Sequence, residues 1–70
     1  MFGSKQGVQE RLGRIVALLE EHGALSPAQI AAMLGLPRST VLRDLPRLEE
    51  RGIRLQEEED GRLRLFQAWW

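Results

Sequence analysis

Residues 26–53 read SPAQIAAMLGLPRSTVLRDLPRLEERGI, and the first ten of them contain both a start and a stop signal for a helix. Ser26 can act as the N-cap, and Gln29 stands where it completes a capping box. The proline between them fits the first helical position. Gly35 can take the left-handed conformation that ends a helix. We therefore predict a helix over residues 27–34 that ends in a sharp turn.

A second helix is predicted within PRSTVLRDLPRLEER, residues 37–51, because its two sides differ in chemistry. Val41, Leu45 and Leu48 fall on one side at helical spacing and should face a core. The opposite side carries the residues that a DNA groove would meet: Ser39, Thr40, Arg43 and Arg47. Arginine can bond guanine through two hydrogen bonds, and short hydroxyl side chains permit close approach to the backbone. Because only Gly-Leu-Pro separates the two helices, their spacing is that of a helix-turn-helix.

Helical periodicity also marks residues 8–21, which carry apolar side chains on one face: Val8, Leu12, Ile15, Val16 and Leu19. After Gly52 the pattern changes to alternation. The segments IRLQ and RLRLF place leucines on one face and arginines on the other, around an Asp60-Gly61 turn signal. The predicted fold is mainly α, with three helices followed by a two-stranded β-hairpin.

Size and composition narrow the classes of function. Seventy residues make at most one domain, which we divide into a flexible leader (1–7), a folded domain (8–66) and an apolar tail (67–70). The chain has no cysteine and a single histidine, His22, so we expect no disulfide, metal or cofactor. It also lacks a nucleophile–base pair and a glycine-rich phosphate loop, so we expect no enzyme. No stretch resembles a membrane span or a signal peptide, which favours a cytoplasmic location.

Charge is balanced overall but is unevenly distributed along the chain. Ten basic and ten acidic residues cancel, so any affinity for nucleic acid depends on where the charges lie. Residues 36–55 carry five arginines against three acids, whereas residues 56–70 carry two arginines against four acids. The positive surface should therefore centre on the second helix of the pair. The acidic run at the predicted hairpin tip, Glu57 to Asp60, should repel phosphate.

Taken together, residues 12–66 resemble a winged helix-turn-helix domain of the kind found at the N-terminus of DeoR-type repressors and of the biotin-operon repressor. In such families the third helix enters the major groove, and the hairpin wing lies along the backbone or minor groove. The resemblance implies a transcriptional regulator, or the DNA-binding domain of one, that binds specific double-stranded DNA and acts as a dimer. It places these residues at the DNA: Arg38, Ser39, Thr40, Arg43 and Arg47 from the third helix, Ser26 and Gln29 near phosphates, and Arg54, Arg62 and Arg64 from the wing. Relatives of this type continue into an effector domain. An effector domain or a separate partner protein is therefore a further expected partner.

The third helix contains a proline, and the sequence leaves the contacts of several of its residues undecided. Pro46 lacks the N–H that would bond the carbonyl of Leu42, so the helix should kink, or split near Asp44 and Leu45. Leu42 flanks the outward side, where it could meet a thymine methyl, the hairpin or a second subunit. Asp44 and Glu49 are expected to pair locally with arginines, such as Asp44 with Arg47, rather than to contact DNA.

The tail QAWW ends in two adjacent tryptophans, which a domain of this size should use in a contact. We expect a homodimer in which Trp69 or Trp70 is buried, with Leu42 as a further candidate for the dimer contact. An alternative function is open, because winged helices also serve as protein-interaction modules. Such a module would use the acidic hairpin and the tryptophans rather than the arginines of the third helix.

Overall fold

The computed structural model describes residues 4–66 of the chain; the predicted contacts of Trp69 and Trp70 lie outside the described residues. The helices are α1 (Ser4–His22), α2 (Pro27–Leu34) and α3 (Arg38–Glu50), and the strands are β1 (Ala24–Leu25), β2 (Leu55–Glu57) and β3 (Leu63–Leu65). The predicted order of three helices followed by a hairpin is confirmed.

Helix α1 begins at Ser4, before the apolar periodicity starts at Val8. Residues 4–7, which the sequence placed in a flexible leader, thus form part of the helix. The reason for the difference is that an apolar stripe marks only the part of a helix that meets the core. Lysine and glutamine, which precede that stripe, are good helix formers. At its other end α1 stops at Gly23, whose φ is 88° and whose N–H donates to the Leu19 carbonyl at 2.8 Å.

Helix α2 has the bounds that the capping signals predicted. The Ser26 Oγ accepts a hydrogen bond from the Gln29 N–H at 3.1 Å, and the Gln29 Oε1 accepts one from the Ser26 N–H at 2.8 Å. Gly35 closes the helix in the left-handed conformation, with φ of 67°. Local chemistry alone therefore fixes both ends of α2 and the turn that leads into α3.

We expect Ser26→Ala to lower the free energy of unfolding by about 1 kcal/mol, because the capping acceptor for the Gln29 N–H is lost. Ser39→Ala is a matched control, since Ser39 is exposed in the first turn of α3 and the N-cap of that helix makes no side-chain hydrogen bond. Urea denaturation of both variants would measure the difference. Equal losses would show that the capping box does not stabilise the domain.

Helix α3 is continuous through Pro46. Of the two expected results, a kink or a split, the split near Asp44 and Leu45 does not occur. Pro46 and Leu42 both lie on the exposed side of the helix, so water can donate to the Leu42 carbonyl in place of the missing N–H. The proline thus costs one backbone hydrogen bond at a position where solvent replaces it.

The three strands form an antiparallel sheet in the order β1-β3-β2. Strand β1, which the sequence did not predict, pairs Leu25 with Leu63. In the hairpin, the Glu58 N–H donates to the Arg62 carbonyl at 2.7 Å, and the Gly61 N–H donates to the Glu58 carbonyl at 3.0 Å. The turn is therefore centred on Glu59 and Asp60, one residue earlier than predicted, and Gly61 follows it with φ of 88°.

The core lies where the three helices meet the inner face of the sheet. Its buried apolar residues are Leu12, Ile15, Leu19, Leu25, Ile30, Ala31, Val41, Leu48 and Leu63. Partly buried side chains that pack against this core include Leu45, Ile53, Leu55 and Leu65, as the apolar patterns predicted. One charged side chain, Asp44, is as deeply buried as the leucines around it.

Candidate nucleic-acid interface

Four exposed residues in the first two turns of α3 form one continuous surface, which we term the outward face: Arg38, Ser39, Leu42 and Arg43. The surface lies opposite the buried Val41 and Leu48, which anchor α3 in the core. Among the described residues, no ion pair engages Arg38 or Arg43. Of the predicted site residues of this helix, Arg38, Ser39 and Arg43 are therefore brought together, with Thr40 half-buried at the edge of the outward face.

The C-terminal half of α3 has a different character. Its exposed residues include Pro46, Glu49 and Glu50, which offer no positive charge. Arg47 lies in this half, and its guanidinium is directed to an acidic partner rather than to open solvent alone. The cationic part of α3 is thus its N-terminal half, which begins directly after the turn from α2.

Arg47 belongs to a cluster of three charged residues, termed here the Asp44 cluster: Arg11, Asp44 and Arg47. The Asp44 carboxylate is fully buried, and its Oδ2 accepts a hydrogen bond from the Arg11 Nε at 2.5 Å. Its Oδ1 accepts from the Arg11 Nη2 at 3.0 Å and from the Arg47 Nη1 at 3.2 Å. Both carboxylate oxygens are therefore satisfied, and the paired Arg11 ties α1 to α3.

The hydrogen bonds that Arg11 donates to Asp44 raise the pKa of Arg11 above its ordinary value, which keeps the guanidinium charged. The sequence predicted the short-range pair of Asp44 and Arg47 but missed Arg11, which lies 33 positions away from Asp44. The positions of the two residues on their helices could have indicated this pair. Asp44 falls between Val41 and Leu48 on the core side of α3, and Arg11 falls next to Leu12 at the edge of the apolar stripe of α1.

Ser26 and Gln29, which were predicted to lie near phosphates, use their side chains in the capping box of α2. The Ser26 hydroxyl can still donate its proton, and the Gln29 amide nitrogen is not a member of that box. Both residues lie at the N-terminus of α2, where backbone N–H groups favour an anion. The arrangement thus permits a phosphate contact without opening the cap.

The three arginines of the hairpin differ in whether they form ion pairs with nearby acidic residues. The Arg62 Nε donates to the Asp60 Oδ2 at 2.7 Å, and the Arg64 Nε lies 3.7 Å from the Glu58 Oε2. Hydrogen bonds from the Arg62 backbone N–H and side chain lower the pKa of Asp60, so that this acid stays charged. Arg54 is exposed, and no ion pair among the described residues engages it. Arg54 is therefore the hairpin arginine with the fewest intramolecular constraints.

The four acids of the hairpin concentrate negative charge at its end. We term this surface the anionic tip: Glu57, Glu58, Glu59 and Asp60. Its members are exposed or half-buried, so their charges act on whatever approaches the hairpin. A DNA backbone would be repelled by the tip and attracted by Arg54 at the opposite end of β2.

Large apolar side chains are exposed at three places in the described part of the chain: Met33, Leu42 and Phe66. Leu42 is 45% exposed and lies on the outward face of α3. The three contacts that the sequence left open for this residue remain predictions.

Within residues 4–66, no group of three or more histidine, cysteine or acidic side chains is arranged to hold a metal ion. None of the helices in that range combines the length and the hydropathy that crossing a membrane requires.

Comparison with known proteins agrees with this arrangement. Residues 9–53 match the family described as winged helix-turn-helix DNA-binding, and the match covers 45 of the 70 residues. No curated protein and no solved structure matches the chain. The matched range contains all of α2 and α3, and the antiparallel hairpin that follows it supplies the wing. The chain therefore belongs to the winged helix-turn-helix DNA-binding family.

Proposed function

We propose that this domain binds specific sequences of double-stranded DNA as a transcriptional regulator, or as the DNA-binding domain of one, and that α3 enters the major groove. The observation that carries the proposal is the outward face of α3. Two arginines that make no ion pair within the described residues, Arg38 and Arg43, lie there beside an exposed hydroxyl, Ser39. Solubility alone requires charged residues on the outer side of a helix, but it does not require all of them to be positive. The purely positive charge of the outward face therefore favours an anionic ligand such as DNA.

The chemistry of the outward face suits a groove. Arg43 can form a bidentate contact with the O6 and N7 atoms of guanine, and Ser39 can bond a phosphate or a base edge. Thr40 lies at the edge of the face, where a hydroxyl reaches the DNA backbone more readily than a base. Leu42 shares the outward face with Arg38 and Arg43, so it could contact a thymine methyl in the same groove.

Contacts outside α3 would hold the domain in register. Ser26 and Gln29 at the N-terminus of α2 would bind phosphate, as helix N-termini do. From the wing, Arg54 would contact the backbone directly, whereas Arg62 and Arg64 would first exchange Asp60 and Glu58 for phosphate. We propose on this basis that the base of the wing touches DNA and that the anionic tip points away from it.

Changing Glu57, Glu58 and Glu59 together to glutamine should tighten binding to a random duplex and steepen its salt dependence, because the repulsion of phosphate falls and Arg64 is released. The matched control changes Glu10, Glu20 and Glu21 to glutamine. These are three exposed acids of α1, so the control alters the net charge by the same amount. The effect of the control should be smaller, since those acids are not on the wing. Weaker binding by the wing variant would mean that the acidic tip takes part in recognition.

We also propose that the protein acts as a homodimer. One helix-turn-helix covers a single half-site, and dimers of such units bind half-sites about one helical turn apart. With a net charge of zero, one copy of the domain should bind DNA weakly, so a second copy would supply the missing contacts. Leu42 would be at the DNA in this arrangement, which leaves the tryptophans as the dimer contact.

Deleting Trp69 and Trp70 should lower the mass of the protein in solution from that of a dimer to that of a monomer. Sedimentation equilibrium over a range of concentrations measures this directly. Leu42→Ala is the control and should leave the mass unchanged. A parent chain that stays monomeric at high concentration would contradict the proposal, and so would a shortened chain that dimerises as well as the parent.

Titration of a random duplex at low and moderate salt, followed by selection of preferred sequences, tests the proposed function. We expect salt-dependent binding to the random duplex and tighter binding to the selected one. If neither duplex binds, the DNA function is wrong, and the domain is better explained as a protein-interaction module that uses its anionic tip.

A further inference from the structure

We infer that Asp44 holds the Arg47 guanidinium away from DNA, so that Arg38 and Arg43 are the arginines of α3 that contact a duplex. The inference deepens the proposed function and rests on it. It makes Asp44 a positioning residue for DNA recognition, acting through Arg47.

The geometry of the Asp44 cluster supports this role. Arg11 from α1 fixes the carboxylate through hydrogen bonds to both of its oxygens, so Asp44 cannot turn outward. Arg47 then donates to the Oδ1 atom of that fixed group at 3.2 Å. The Asp44 side chain is fully buried, whereas 43% of the Arg47 side chain is exposed. Arg47 is thus an accessible arginine whose guanidinium already donates to a fixed acceptor.

A phosphate would have to compete with Asp44 for the same guanidinium. The carboxylate lies in the protein interior, where the effective dielectric constant is lower than in water and an ion pair is screened less by salt. A pair between a guanidinium and a DNA phosphate, by contrast, stays exposed to water and is screened by salt. We therefore expect the Arg47 guanidinium to keep its hydrogen bond to the buried Asp44 carboxylate when DNA binds.

Restraining Arg47 has a consequence for specificity. Every additional arginine that contacts phosphate strengthens binding to all sequences alike. Arg47 lies one helical turn beyond Arg43, where a released side chain would reach the backbone of the same groove. Holding it back keeps the affinity for random DNA low, so that the base contacts of the outward face account for more of the discrimination between sequences.

The test compares the parent chain with the double variant Arg11→Met/Asp44→Leu. This variant removes one positive and one negative charge, so its net charge equals that of the parent, while Arg47 loses its partner. Binding to a random duplex should become stronger at low salt, and the slope of log affinity against log salt should steepen by about 0.9, the value for one more phosphate contact. Between 50 and 200 mM salt the affinity should then fall by roughly 3.5-fold more than for the parent.

Adding Arg47→Ala to the double variant should restore the slope of the parent, which assigns the gain to Arg47. In the otherwise unchanged parent, Arg47→Ala should leave the slope as it is, and this comparison holds even if the double variant folds poorly. A slope that becomes shallower by about 0.9 would show that Arg47 already contacts phosphate, and would overturn the inference. A double variant that folds but keeps the slope of the parent would overturn it as well.

Side-chain NMR separates this inference from the proposed function. On addition of duplex, the guanidinium signal of Arg43 should shift while that of Arg47 stays in place. A shift of Arg47 comparable to that of Arg43 would refute the inference and leave DNA binding intact. If the parent binds no duplex at all, the proposed function fails and the role of Asp44 in recognition fails with it.

Discussion

Replacing Arg11 by methionine should destabilise the domain by about 3 kcal/mol, the lower end of the cost of breaking a buried ion pair. The variant leaves the fully buried Asp44 carboxylate with Arg47 as its remaining partner in the cluster. A charge in the interior that has lost most of its hydrogen bonds cannot recover them from water. For a chain of this length the whole free energy of unfolding is about 4–10 kcal/mol, so a large fraction of the stability should disappear.

Replacing Asp44 by leucine should cost less than replacing Arg11, although the same ion pair is broken. The Arg11 side chain is 25% exposed, so its guanidinium can be hydrated once its partner is gone. The double variant Arg11→Met/Asp44→Leu should lie within about 1 kcal/mol of the parent, since apolar residues of similar volume can replace a buried pair. The two single losses should therefore not add.

Urea denaturation of the four chains completes this double-mutant cycle. The interaction energy between Arg11 and Asp44 follows from the four free energies of unfolding. Arg14→Met serves as a control, because Arg14 is exposed on the same helix and no ion pair among the described residues engages it. If Arg11→Met destabilises the domain no more than Arg14→Met does, the cluster does not hold α1 against α3.

Replacing Arg43 by alanine should weaken binding to the selected DNA site by about 1–3 kcal/mol, or roughly 5- to 150-fold, if the guanidinium reads a base. Binding to a random duplex should fall less, because only the positive charge of Arg43 is lost there, not a base contact. Arg43→Lys should lose nearly as much as alanine at the selected site, since lysine keeps the charge but not the bidentate fork. The readout is thus a loss of discrimination between sequences, not of affinity alone.

Arg51→Ala is the matched control for this second prediction. Arg51 is exposed at the C-cap of α3 and carries the same charge, but it lies beyond the outward face. Its removal should weaken binding to both duplexes alike and only slightly. Equal effects of Arg43→Ala and Arg51→Ala on the selected site would remove Arg43 from the set of base-reading residues.

Several parts of the fold can be predicted from the sequence alone, because their causes lie within a few residues of one another. The bounds of α2 follow from the Ser26 and Gln29 cap and from Gly35, and all of these contacts are local. The core-facing side of α3 and the alternation in the hairpin follow from periodicity, because each helix or strand buries one face. The grouping of Arg38, Ser39 and Arg43 on one surface is a consequence of the same periodicity.

Other features depend on contacts between distant segments and arise only when the chain folds. Strand β1 has only two residues, too few for a pattern, and it exists because Leu25 lies beside Leu63 in the folded chain. The partner of Asp44 is likewise set by the packing of α1 on α3, which brings Arg11 to it across 33 positions of sequence. A charged residue at a core-facing position indicates that a partner is required, but not which one. Tertiary packing therefore also decides which arginine of α3 is paired, because Asp44, fixed by Arg11, accepts a hydrogen bond from Arg47, whereas no ion pair among the described residues engages Arg43.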